Sequence, residues 1–293
     1  MMRFVVVINP ISGDIDKKNL KVQLRHLFQH DTSNLQIYET IQNDDHQELK
    51  SIIKDFKPDR ILICGGDGTF SLLAPILLEF KIPVGFVPVG SANGLAADMQ
   101  IEGSPLEVIK RYVAASKTAW MDCLYINQRF PVLHLADIGV NANVVKDYDK
   151  DPGRGWFTYA RHALHHIQRL TNFKVKINNQ KDTILSNGVM VAICNGNTFG
   201  TTGIKLNRIG HLADGKFEVV VIKALRFSNL ISASLSMLNE DWYDDENYEV
   251  IQSDYVEIEL EKPTLLQIDG EIIDEFDKIT ISIKPSAIEY LVI

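Results

Sequence analysis

Residues Ile61 to Thr69 read Ile-Leu-Ile-Cys-Gly-Gly-Asp-Gly-Thr, an apolar run that ends in three glycines, an aspartate and a threonine, and a second apolar stretch follows from Phe70 to Phe80. That order predicts a strand, a tight loop and a helix. Glycines let backbone N–H groups approach an anion closely, and a helix N-terminus adds partial positive charge, so the loop suits a phosphate. The two commonest nucleotide loops are excluded. The chain has no Gly-x-x-x-x-Gly-Lys-Ser/Thr segment, and Gly66 to Ser71 does not complete the Gly-x-Gly-x-x-Gly fingerprint. An aspartate among glycines repels bare phosphate unless a divalent cation intervenes, which points to a metal-bound nucleotide. Two other pairs, His26/His30 and His162/His166, have the one-turn spacing of zinc ligands. Neither encloses a metalloprotease glutamate or has an evident third ligand, so they read as solvent-facing histidines.

The elements that must hold the glycine loop follow from the apolar pattern. Between residue 1 and about residue 122, short apolar runs (Phe4 to Ile8, Ile61 to Cys64, Val84 to Val89) alternate with amphipathic stretches at 17–29 and 70–80. Runs apolar on both faces belong in the middle of a parallel sheet covered by helices, so the first part is α/β. After Asp122 come short strand-like runs at Val132 to Leu135, Phe173 to Ile177, Val189 to Ile193, Phe217 to Ile222, Val256 to Leu260 and Ile279 to Ile283. Asn178-Asn179, Asp214-Gly215 and Asp269-Gly270 supply turns between several of them. The expectation is an α/β domain over 1–122, rejoined by a tail at about 284–293, and a β-rich domain over 123–283.

Composition bounds the function. A chain of 293 residues, 45% hydrophobic and 23% charged, can bury a large core, which excludes a disordered protein. Thirty Lys and Arg against 38 Asp and Glu give a net charge of −8, which excludes wholesale binding of nucleic acid. Three cysteines without Cys-x-x-Cys spacing indicate neither a disulfide framework nor a zinc knuckle and fit a reducing compartment. The N-terminus runs almost directly into Phe4 to Ile8, too short to span a bilayer, and reads as a cytoplasmic strand.

Gly65-Gly-Asp-Gly-Thr69 stands with Asn9-Pro-Ile-Ser-Gly13 after the first strand and Pro88-Val-Gly-Ser-Ala-Asn93 after a later one. Asn195-Gly196, Leu212-Ala-Asp-Gly-Lys-Phe217 and Ile268-Asp-Gly-Glu271 follow in order. This series resembles the diacylglycerol kinase catalytic family, which includes bacterial lipid kinases and sphingosine kinases, over nearly the whole chain. The resemblance implies a nucleotide-binding α/β domain like those of NAD kinase and phosphofructokinase, a C-terminal β-sandwich, and the cofactors ATP and Mg2+. By the same resemblance Asn9, Pro10, Ile11, Ser12, Gly13, Gly65, Gly66, Asp67, Gly68 and Thr69 would line the nucleotide. Thr40, Ser91 (where the family usually has threonine) and Asn93 match further nucleotide-contacting positions. Asp67 would hold the catalytic Mg2+, because phosphoryl transfer is mostly positioning and neutralisation of charge. Asp269 and Glu271 match the acceptor-activating segment, where either carboxylate could take the proton of a lipid hydroxyl. His211, Asp214 and Lys216 match a structural Mg2+ site in which only Asp214 need use its side chain.

The sequence departs from the bacterial pattern at Asn93-Gly94-Leu95, which is closer to sphingosine kinases, and at Ser71 and Leu72; Pro75 interrupts the helix expected there. The acceptor therefore stays open among diacylglycerol, a sphingoid base and another long-chain alcohol. Gly153 to Leu170 carries Trp156, Ala160, Leu164 and Ile167 at helical spacing with Arg154, Arg161 and Arg169. Such a helix either packs on the sandwich or leans on the anionic inner face of a membrane and admits the lipid. The acidic run Glu240 to Glu249 reads as a solvated loop, and Cys64 as a small buried strand residue. The leading reading is a lipid kinase acting on a membrane-borne hydroxyl. An NAD kinase-like enzyme, a non-catalytic lipid-binding protein of the same fold, and a sugar- or polyphosphate-directed kinase are its rivals.

Overall fold

The computed structural model describes residues 2–13, 15–29, 31–41, 44–90, 93–151, 162, 165, 172–199, 204–205, 209–223 and 248–293. Ser91, His30, His166, residues 240–247 of the acidic run, and all of 153–170 except His162 and His165 lie outside them, including Arg154, Arg161 and Arg169. The chain divides into two compact units, Met1–Met121 with Ser286–Ile293, and Asp122–Pro285.

In the first unit β1 (Phe4–Ile8), β2 (Leu35–Glu39), β3 (Arg60–Gly65) and β4 (Val84–Pro88) form a parallel sheet in the order β2-β1-β3-β4. Every residue of β1 is buried, as a central strand covered on both sides requires. β2 is the edge strand and only Tyr38 of it is buried, so Leu-Gln-Ile-Tyr-Glu carries too weak an apolar signal to be read from sequence. The helices are α1 (Lys17–Leu27), α2 (Asp45–Phe56), α3 (Asp67–Phe80), α4 (Gly94–Asp98) and α5 (Pro105–Ala114). Asp16 starts α1 by accepting the Asn19 N–H at 3.0 Å, and Leu20 and Leu24 form its buried stripe. α5 opens with Pro105 and a capping box between Ser104 and Glu107. Pro75 sits inside α3, which continues on both sides of it to Phe80.

The second unit holds β5 (Lys117–Ile126), which begins in the first, then β6 (Phe130–Val132), β7 (Leu135–Gly139), α6 (Val140–Lys150), β8 (Phe173–Asn178), β9 (Thr183–Gly188) and β10 (Met190–Cys194). β11 (Thr198–Phe199), β12 (Ile204–Lys205), β13 (Phe217–Ile222), β14 (Tyr248–Ser253), β15 (Tyr255–Ile268) and β16 (Glu271–Val292) follow. The end of β16 belongs to the first unit, where Tyr290 pairs with Val84 of β4. β7 lies between β10 and β15, antiparallel to both, and β13 and β14 extend the sheet beyond β10. Side chains alternate between the two faces of each strand. Ala136 and Ile138 of β7 join the larger core with Val191, Ile193, Val219 and Ile258, while Leu135 faces a smaller cluster with Met190, Ala192 and Val220.

One strand expected from sequence is corrected. The apolar run Val132 to Leu135 is not one strand: Val132 ends β6, Leu135 begins β7, and Leu133 and His134 form the break between them. The N–H groups of Leu133, His134 and Leu135 turn instead to the carboxylate of Asp269, at 3.2, 3.2 and 2.8 Å. Among the described residues no helix is long and apolar enough to cross a membrane.

Candidate functional site

Ligands of open parallel sheets bind beyond the carboxyl ends of the strands, and that edge of the first unit is where three predicted loops meet. β1 delivers Asn9 to Gly13, β3 delivers Gly65 to Thr69, and β4 leads to Gly90 and Asn93. Asn9 joins the first two loops: its Nδ2 donates to Thr69 Oγ1 at 2.9 Å and its Oδ1 accepts the Ile11 N–H at 3.1 Å. The first and third loops touch backbone to backbone. A Cβ on Gly13 would stand 1.9 Å from the Val89 carbonyl oxygen, and Gly13 has a φ of +60°. The second and third are as close, since a Cβ on Gly90 would stand 2.5 Å from Gly66 Cα. No other residue type fits these contacts, and the resulting cradle of bare backbone is what a polyphosphate needs.

Asp67 is buried in the first turn of α3, where its two oxygens accept the N–H groups of Gly94 at 2.8 Å and Leu95 at 3.2 Å. It thereby caps α4 from across the loops and fixes the Asn93 segment against the glycine loop. Asn93 ties its own loop, accepting the Gly90 N–H at 3.1 Å and donating to the Gly90 carbonyl at 2.8 Å. Thr40 is buried beyond β2, with its N–H donated to Ile8 at 3.0 Å, while Ile11 is 70% exposed and Pro10 is also exposed. Burial pushes the Cys64 thiol up to about 12, which makes it an inert neutral packing group.

One residue of this edge escaped sequence reading. Lys17 is buried at the start of α1 and donates Nζ to the carbonyl oxygens of Ser12 and, at 2.9 Å, Gly13. A cation at a helix N-terminus opposes the helix dipole, and that mismatch is the one signal that marks it in the sequence.

In the second unit Asp269 and Gly270 form a two-residue turn between β15 and β16, and Glu271 is the first residue of β16. Asp269 (φ +47°) and Gly270 (φ +92°) are both left-handed, as an Asp-Gly hairpin requires. The Asp269 carboxylate is buried against the three N–H groups of 133–135, and its own N–H donates to the Leu135 carbonyl at 2.8 Å. Glu271, two residues on, is exposed. His211, Asp214 and Lys216 share one loop. Asp214 Oδ1 accepts the Lys216 N–H at 3.0 Å and His211 Nδ1 accepts the Ala213 N–H at 3.1 Å. Buried Asp122, absent from the sequence reading, anchors that loop by accepting the Gly215 N–H at 2.8 Å and donating its own N–H to the Leu212 carbonyl at 2.7 Å. Buried Asn195 ties the same place to the 133–135 break, donating to the carbonyls of Asp122 at 2.9 Å and Leu133 at 2.8 Å. Among the described residues there is no group of three or more His, Cys, Asp or Glu able to hold a metal. A Mg2+ here would be held as that ion commonly is, by a carboxylate, substrate phosphate oxygens and water.

A profile of the diacylglycerol kinase catalytic domain matches residues 3–124, and one of the YegS C-terminal NAD kinase β-sandwich-like domain matches residues 135–292. The chain belongs to the diacylglycerol kinase catalytic-domain family. It is 27% identical over 222 residues to a provisionally named lipid kinase of Staphylococcus carnosus, covering 73% of this chain and 71% of that one. It is 27% identical over 183 residues to sphingosine kinase 1 of Arabidopsis thaliana, covering 57% of this chain and 37% of the other. Among solved structures, a provisionally named diacylglycerol kinase of Bacillus anthracis superposes with a TM-score of 0.80 at 19% identity, over 100% of this chain and 97% of that one. Yeast NADH kinase superposes with a TM-score of 0.58 at 10% identity, over 100% and 84%. At those identities the structures establish the fold, an α/β domain followed by a β-sandwich, which agrees with the class read from sequence.

Proposed function

We propose that this family member is an ATP- and Mg2+-dependent kinase that transfers the γ-phosphate to a hydroxyl of diacylglycerol, a sphingoid base or a related lipid. The observation that carries the reading is the backbone cradle at the carboxyl edge of the parallel sheet, with Asp67 fixed at its centre. Backbone N–H groups of the glycine-bearing loops that follow β1, β3 and β4 hold and orient the phosphates, and Thr40 lies on the nucleotide side of the same edge. Bound Mg2+ would supply neutralisation of charge on the β and γ oxygens, held by Asp67 directly or through water. Loops fixed backbone to backbone need little rearrangement when charge moves, which is the form of catalysis phosphoryl transfer depends on.

At the acceptor, the lipid hydroxyl gives its proton to a carboxylate as its oxygen bonds to the γ-phosphorus and the bond to the departing ADP breaks. Asp269 is engaged by three backbone N–H groups and buried, so it holds the turn, and exposed Glu271 takes the proton. The loop at His211, Asp214 and Lys216 is a second, structural Mg2+ site, with Asp122 as its protein anchor. The lipid would be met at the inner face of a membrane by a cytoplasmic protein in peripheral contact with it.

The test is transfer of γ-labelled phosphate from ATP with Mg2+ to diacylglycerol, ceramide, sphingoid base and monoacylglycerol in mixed micelles, with NAD as a soluble acceptor. Label in a lipid that disappears in Asp67→Ala while that protein stays folded supports the proposal and names the acceptor. Label in NAD alone, or in nothing, overturns it.

A further inference from the structure

The hairpin turn that carries Glu271 is held from behind by a buried pair outside the family motifs. Asp137, in the middle of β7, is fully buried and faces Gln267 of β15, itself buried, in register across the sheet. Its Oδ2 accepts from Gln267 Nε2 and from Asn141 Nδ2 in the first turn of α6, both at 2.5 Å. The other end of the same glutamine amide, Oε1, accepts the Gly270 N–H at 2.7 Å. A carboxylate in the interior of a sheet is costly, and apolar side chains of Leu135 and Ala192 share its surroundings, so packing alone does not account for it.

We infer that Asp137 is a positioning residue that acts through Gln267 to fix the Asp269–Gly270 turn and hence the place of Glu271. The physical reason is the polarity of an amide. A glutamine side chain has a donor end and an acceptor end of nearly equal shape, and either could face Asp137. An acceptor at Asp137 Oδ2 selects the orientation with Nε2 inward, which leaves Oε1 outward as the acceptor that Gly270 N–H needs. Without that selection the amide can turn over and set its own donor against the Gly270 donor. Leverage on Glu271 is direct, because it is the next residue and because Gln267 sits where the β15–β16 register shifts. Asparagine is nearly isosteric with aspartate and can keep a carbonyl oxygen at the Oδ2 position, where Gln267 and Asn141 donate. Asparagine should therefore preserve what leucine destroys.

This inference rests on the kinase reading for its effect on rate, but not for its effect on the turn, and the two are measured separately. Hydrogen exchange of the Gly270 amide is followed in the full chain for Gln267→Met, Asp137→Leu and Asp137→Asn. In parallel, kcat is measured at saturating lipid, together with ATP affinity. Gln267→Met and Asp137→Leu are expected to speed Gly270 exchange and to lower kcat on the order of 10²-fold with ATP affinity unchanged, because a small misplacement of a catalytic group is enough for that. The double variant should be no worse than Asp137→Leu, and Asp137→Asn should restore both readouts. Should Asp137→Leu fail to fold, Gln267→Met, nearly isosteric and leaving Asp137 with Asn141, carries the comparison. Wild-type exchange at Gly270 in folded Gln267→Met overturns the inference whatever the activity. So does wild-type kcat in that variant when the parent enzyme is active. Absence of lipid phosphorylation in the parent protein counts against the kinase reading instead, and Gly270 exchange then decides the role of Asp137.

Discussion

Asp137→Asn should change how stability depends on pH, and the buried carboxyl sets both sign and size. Burial pushes Asp137 from its ordinary 3.8 up to about 7, against the pull of hydrogen bonds from Asn141, Gln267 and the Ala142 backbone. A carboxyl whose folded value is raised is stabilising while it is protonated in the fold, so its contribution is complete below the unfolded value and is lost as pH rises through the folded one. The displacement from 3.8 to about 7 corresponds to about 4 kcal/mol in all. More than half of that falls between about pH 5 and about pH 8 by the same linkage relation. Glu218, also buried and pushed up to about 6 by desolvation, acts with the same sign, but it is present in both proteins and cancels in the difference. Urea unfolding of wild type and Asp137→Asn, followed by circular dichroism across that range, reads the difference directly. The asparagine protein should gain on wild type steadily as pH rises. A stability gap that stays level within about 0.5 kcal/mol would refute the reasoning, since a group ionising near 7 in the fold must leave that slope.

Gly13→Ala should raise the KM for ATP about tenfold or more and lower Tm, because left-handed backbone costs an alanine roughly 1–2 kcal/mol and its Cβ meets the Val89 carbonyl. Unchanged KM would show that the Asn9–Gly13 loop does not touch the nucleotide. Asp122→Ala strands the Gly215 N–H and should cost about 1–3 kcal/mol in urea unfolding, while ATP binding to the first unit persists. An unchanged unfolding midpoint would mean that the 211–216 loop is held by something else.

Much of the fold is written locally. The strands β1, β3 and β4 are apolar on both faces, which only a parallel sheet covered by helices can use. Asp269-Gly270 is a left-handed turn by residue type alone, whereas the close approach of Gly13 to the Val89 carbonyl is seen only in the folded chain. Family membership follows from short motifs in a fixed order. What the pattern does not carry is any segment whose apolar content is low, as at the edge strand β2, or whose backbone is diverted by a distant side chain, as at Val132 to Leu135.

The same division runs through the candidate site. Residue types at Gly65 to Thr69 determine that a tight glycine loop opens a helix there, because glycine geometry and the helix terminus are local properties. Only the tertiary structure decides that Asp67 caps α4, that Asp122 holds the 211–216 loop, and that Asp137 reaches Gln267, 130 positions along the chain. A buried polar atom must find a partner somewhere, but nothing in its neighbours in sequence says where. Asp269 reads locally as a turn residue, and the three N–H groups that employ its carboxylate come from a segment 134 to 136 residues away. Sequence therefore determines which side chains can do chemistry, and the packing of strands from opposite ends of the chain determines which of them are occupied in holding the rest in place.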